Sequence, residues 1–78
     1  MKIDFLDPKV KPRAIESYFS DLLLKTFGNK VQDEADISAA KGSFHVYFAI
    51  DGAGFAFDFK RKSAARIVKA IRALKKVE

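Results

Sequence analysis

The dipeptide Asp51-Gly52 lies between two runs in which apolar and polar residues alternate, and this constrains the fold more than any other feature of the chain. On one side Phe44, Val46, Phe48 and Ile50 alternate with Ser43, His45, Tyr47 and Ala49. On the other, Ala53, Phe55, Phe57 and Phe59 alternate with Gly54, Ala56, Asp58 and Lys60. A period of two sends successive side chains to opposite faces of a strand. A two-residue Asp-Gly loop suits a hairpin whose turn needs positive φ at both positions. That turn sets the register. Ile50 faces Ala53, Phe48 faces Phe55, Val46 faces Phe57 and Phe44 faces Phe59. Five of the chain's eight phenylalanines fall on this hairpin. They form one continuous apolar face that other elements must cover.

The flanking segments supply the cover. Pro12 suits a first-turn position, and a helix is expected from there to Phe27, with Ile15, Tyr18, Phe19, Leu22 and Leu23 on one face. Gly28-Asn29 is the expected stop. Leu24 falls on the polar side of this wheel, where it is expected to pack under an N-terminal strand or to meet a partner. That strand is expected over Met1 to Leu6, with Ile3 and Phe5 on one face and the prolines of "DPKVKP" ending it. Val31, Ala35, Ile37 and Ala39 keep an alternating phase, which implies a strand from about residue 34 to 39, followed by a Lys41-Gly42 turn. A last helix carries Ala64, Ile67, Val68, Ile71 and Leu74 as its apolar stripe, with Ser63 as its expected N-cap. The resulting fold class is α+β, in the order (β)-α-β-β-β-α. It is an antiparallel three- or four-stranded sheet with two helices packed on one face.

At 78 residues the chain is long enough for one small domain, spanning 1–78, and too short for two. Hydrophobic residues make up 49% and charged residues 32%, which favours a packed core over disorder. There is no cysteine, so disulfides and cysteine-ligated zinc are excluded. One histidine and scattered acids lack the spacing of a metal set, and no motif implies a cofactor. No apolar run approaches the roughly 18 residues that span a bilayer, and "MKIDFLDPKV" lacks a signal-peptide apolar region. These features imply a soluble, cytoplasmic protein with no membrane partner.

The charge is unevenly placed. From residue 60 onward the chain holds Lys60, Arg61, Lys62, Arg66, Lys69, Arg72, Lys75 and Lys76 against Glu78, a net +7, while the rest is −2. Lys62, Arg66, Lys69 and Lys76 lie opposite the apolar stripe of the last helix, within about 80° of arc. Lys60 and Arg61 enter this face from the strand end, and Lys41 adds a cation at the first hairpin turn. Such asymmetry points to a polyanionic partner, with nucleic acid, RNA or DNA, ahead of an acidic protein. A basic helix that serves solubility alone is the plainer reading, and cations also complement the dipole at a helix C-terminus.

The other face of the hairpin carries polar chemistry. The register sets His45 opposite Asp58, Tyr47 opposite Ala56 and Ser43 opposite Lys60. If Ala39 pairs with Phe44, Ser38 flanks His45, and a Ser38–His45–Asp58 row crosses the sheet. This is the order of a nucleophile, a base and an orienting acid. An open sheet face offers no obvious oxyanion donors and does not exclude water. Polar cross-strand pairs are also what a solvated face needs. The row is therefore read as a solvated face, with His45 and Asp58 kept as the catalytic alternative.

The helix, three strands and final helix ending in "KRKSAARIVKAIRAL" resemble the double-stranded-RNA-binding domain over about residues 12–77. The resemblance implies that Lys60, Arg61, Lys62 and Arg66 grip phosphates across an RNA groove, with the alanines at the sheet contact. The family's longer loop between its first two strands is here the short "AAKG". Residues 41–71, with "KGSFHVYF", a "DG" turn and a lysine-bearing helix, resemble the HicA messenger-RNA interferase toxins. That resemblance implies a ribonuclease centred on a histidine after Gly-Ser; here Phe44 holds that place and His45 follows. Three functions result: a small basic nucleic-acid-binding module, a HicA-like ribonuclease toxin using His45, and a small protein-binding inhibitor or adaptor of the kind phages encode.

Overall fold

The computed structural model describes residues 3–31 and 35–74. They form helix α1 (Pro12–Phe27), strands β1 (Asp36–Ala40), β2 (Ser43–Ile50) and β3 (Ala53–Lys60), and helix α2 (Ala64–Leu74). Short 3-10 turns follow α1 at Gly28–Lys30 and precede α2 at Arg61–Ser63. The sheet is antiparallel in the order β1-β2-β3, so the aromatic strand β2 is central.

The hairpin forms in the register that its turn demands. Phe44 pairs with Phe59, Val46 with Phe57, Phe48 with Phe55 and Ile50 with Ala53. Asp51 and Gly52 both take positive φ, at 51° and 84°. The β1–β2 loop repeats this geometry, with Lys41 at 52° and Gly42 at 81°. Two such turns in succession build a tight three-stranded meander.

Both helices cover the phenylalanine face. Ile15, Phe19, Leu22, Leu23 and Phe27 of α1 pack with Phe44, Val46, Phe48 and Phe59 of the sheet and with Ala64, Val68 and Ile71 of α2. Phe48 is wholly buried, its ring 5.6 Å from Phe27 and 5.4 Å from Phe55 between centroids. Pro12 opens α1 after an extended Lys11 with no side-chain cap. Gly28 ends it at φ 61°, donating its N–H to the Leu24 carbonyl. Positive φ with ψ −131° is a conformation that glycine, lacking a Cβ, adopts readily.

Five expectations change. The described residues before α1 form turns and not a strand, which leaves the sheet three-stranded. Asp4 and Asp7 are the cause. The Asp4 side chain accepts from the Leu6 N–H at 3.0 Å, and the Asp7 side chain accepts from the Lys9 N–H at 2.9 Å. Aspartates at these spacings bend the chain back on itself instead of leaving its N–H groups to a ladder. Phe5 is still buried, edge-on to Tyr18 at 5.2 Å.

Leu24 does not pack under the N-terminal segment. It is 59% exposed and lines a groove with Leu23, Val31, Ala35 and Ile37. Strand β1 begins at Asp36 and ends at Ala40, while residue 34 lies outside the described residues. Ser63 is not an N-cap. Helical geometry begins two residues earlier, at Arg61, and extended Lys60 is the capping position without a side-chain cap. Phe55 and Phe57 are half-buried and not fully covered. Strand β3 is an edge strand, and α2 lies along only part of it: 11 residues of helix rise about 16 Å against about 26 Å for eight residues of strand.

Candidate nucleic-acid interface

Helix α2 separates apolar and cationic residues cleanly. Ala64, Val68 and Ile71 are buried, and Lys62, Arg66, Lys69 and Arg72 are exposed. Lys76 falls outside the described residues. The start of the helix bears the charge: Lys60, Arg61 and Lys62 precede it, Arg66 follows within its first turn, and no acid lies there. The helix dipole opposes cations at this end by about 0.3–1 kcal/mol each. Complementing the dipole therefore does not account for their placement. Among the described residues, none of Lys41, Lys60, Lys62, Arg66 and Lys69 pairs with a carboxylate.

The fold divides the predicted set. Lys60 ends β3 opposite Ser43, on the face away from the helices. Lys41 lies at the tip of the β1–β2 turn, next to Ala40, which also pairs with Ser43. Lys41 and Arg61 line one small cleft with Pro12 and Phe44, so the β1–β2 turn, the start of α1 and the approach to α2 meet at one end of the molecule. Lys41, Lys60 and Lys62 thus gather near that end, and Arg66 and Lys69 continue along α2. Arg61 differs from the rest. It is half-buried, and its Nη1 donates to the Asp7 carbonyl oxygen at 3.1 Å. It ties the N-terminal turns to the start of α2, and this bond occupies part of its guanidinium.

The open sheet face carries the row that the register demands, with Ser38 beside His45 and His45 beside Asp58. His45 Nδ1 lies 2.7 Å from Asp58 Oδ1, with the side chains 38% and 77% exposed. The carboxylate fixes the ring with Nε2 as its other nitrogen. Among the described residues nothing encloses the pair, and a catalytic centre needs donors aimed at a developing charge as well as a base. Among the described residues no group of acids and histidine forms a metal site. No helix among them is long and apolar enough to cross a membrane.

One feature of this face escaped the sequence reading. The Tyr47 side chain leans diagonally over Gly54. A Cβ at Gly54 would lie 3.1 Å from the Tyr47 hydroxyl oxygen, 3.4 Å from Cε1 and 3.6 Å from Cζ. Gly54 has no left-handed φ to justify a glycine. The signal was a glycine inside a strand, which marks close approach of another group.

No protein-family model, curated protein or solved structure matches this chain.

Proposed function

We propose that this chain is a small nucleic-acid-binding module, with RNA ahead of DNA, in which α2 makes the phosphate contacts. One observation carries the reading: exposed cations without carboxylate partners among the described residues crowd the start of α2, where the helix dipole opposes them. A polyanion lying there would relieve both the dipole conflict and the mutual repulsion. Lys41 and Lys60 extend the same field around the end of the sheet. Filter-binding titrations at two or more salt concentrations test this. Log affinity should fall linearly with log salt, by about 0.9 per phosphate contact on a duplex or about 0.7 on a single strand. Exchanging Lys62 and Arg66 for Glu should weaken binding to all sequences alike, since phosphates carry no sequence information. No binding to any RNA or DNA at low salt would refute the reading and direct attention to an acidic protein partner.

The 2.7 Å contact between His45 and Asp58 favours a second reading, an RNA-cleaving enzyme. In it Asp58 holds Nδ1, and Nε2 takes the proton of a ribose 2′-hydroxyl. The unenclosed face makes this the lesser reading.

A further inference from the structure

The open sheet face does not match the helix face in charge. Asp36 and Asp58 lie toward its middle, and Lys60 stands at the end nearest Lys41. The other described residues of this face are mostly small: Ser38, Ala40, Ser43, Gly54 and Ala56 are all exposed. Two aromatic rings interrupt it, Tyr47 and His45, two residues apart on the central strand and each half-buried. A strand side chain ordinarily stands away from the sheet. Tyr47 instead reclines, its hydroxyl end above Gly54, in space that any Cβ would contest. Glycine inside a strand is destabilising relative to alanine, and the backbone here does not require it. The glycine is explained by what it permits: the close approach of the half-buried Tyr47 side chain across the sheet.

From this geometry we infer that the open sheet face is a stacking platform for unpaired bases of single-stranded RNA, with Tyr47 as the principal ring and His45 as the second. This rests on the nucleic-acid reading and names the form of nucleic acid. Bases are uncharged and tolerate the neighbouring carboxylates. Phosphates are repelled by Asp36 and Asp58 and attracted to Lys60, Lys41 and Lys62 at the sheet end. The strand therefore lays its bases over the centre of the sheet and its backbone along the cationic end. A duplex hides its base faces within its own stack and cannot use the platform. Asp58 holds the His45 ring in place through Nδ1.

Fluorescence anisotropy with a labelled single-stranded RNA of about 12 nucleotides, and with the duplex of the same sequence, tests the inference. Tyr47→Leu should weaken single-strand binding about 5- to 150-fold, the loss expected for one base–aromatic stack, without changing the salt slope. Tyr47→Phe keeps the ring and should bind like wild type. Neither should alter duplex binding. The Lys62→Glu, Arg66→Glu variant should weaken binding to both RNAs. The chain has two tyrosines. In a Tyr18→Phe background Tyr47 is the sole emitter, and stacking should quench it on adding single-stranded RNA and not duplex. That measurement needs no change at the platform. Unchanged single-strand affinity in Tyr47→Leu, or absence of quenching on binding, overturns the platform while a loss in the Lys62/Arg66 variant leaves the helix reading standing. Failure of wild type to bind either RNA overturns both.

Discussion

Phe48 and Phe57 sit on the same sheet face, one on the central strand and one on the edge, and truncating each to alanine tests how the helices cover that face. Phe48 is 0% exposed, touches the rings of Phe27 and Phe55, and lies among residues of α1 and the sheet. Removing a fully buried phenylalanine ring costs about 3–5 kcal/mol, combining lost transfer energy with the cavity left behind. Phe57 is half-buried, so part of its ring is already in water and part of the cavity would open to solvent. We expect a smaller cost than at Phe48, about 2–4 kcal/mol, by scaling the same figures to the buried fraction. A domain of 78 residues has a total stability of about 4–12 kcal/mol. Phe48→Ala should therefore lower the urea midpoint steeply, unfolding a domain at the low end of that range, while Phe57→Ala should fold with a smaller fall in midpoint. Urea unfolding followed by far-ultraviolet circular dichroism, with the slope compared across variants, makes the measurement. Equal losses, or a larger loss at Phe57, would refute the unequal cover described for the central and edge strands.

Three further outcomes are expected. Arg61→Ala removes a charge-assisted bond to the Asp7 carbonyl, which is worth about 1.5–3 kcal/mol. It should lower the melting temperature and speed proteolysis before α1; unchanged protection there would show that the bond holds nothing. Lys62→Glu with Arg66→Glu should not lower stability and should raise it at low salt, because both side chains are exposed and the dipole at the start of α2 favours anions over cations; a chemical-denaturation midpoint checks this. Purified wild type should leave a mixed RNA pool intact, and His45→Ala should fold normally. Degradation of the pool by wild type but not by His45→Ala would instead establish the ribonuclease reading.

Much of this architecture is legible in the sequence because it is set by local rules. The Asp51-Gly52 turn has one favoured geometry, and once it forms, a period-two pattern leaves no freedom in which residues pair across β2 and β3. The span of α1 follows similarly from Pro12 at one end and Gly28 at the other. The His45–Asp58 contact and the cationic face of α2 follow from register and helical angle, so the residues of the candidate interface were also visible. The departures share another character. Alternation alone suggested a strand at the N-terminus, but Asp4 and Asp7 captured the local N–H groups and turned the chain. Leu24 and the half-buried Phe55 and Phe57 depended on where a helix ends relative to a sheet edge. The Arg61 bond to Asp7 joins residues 54 positions apart. The reclining Tyr47 ring depended on a glycine one strand away and two pairs along. Local sequence determined which elements form and in what register they pair, because turns, caps and alternation act between neighbours in the chain. Only the tertiary structure decided which surfaces stay open and which side chains reach across to distant backbone, because those depend on distances between segments that the sequence order does not contain.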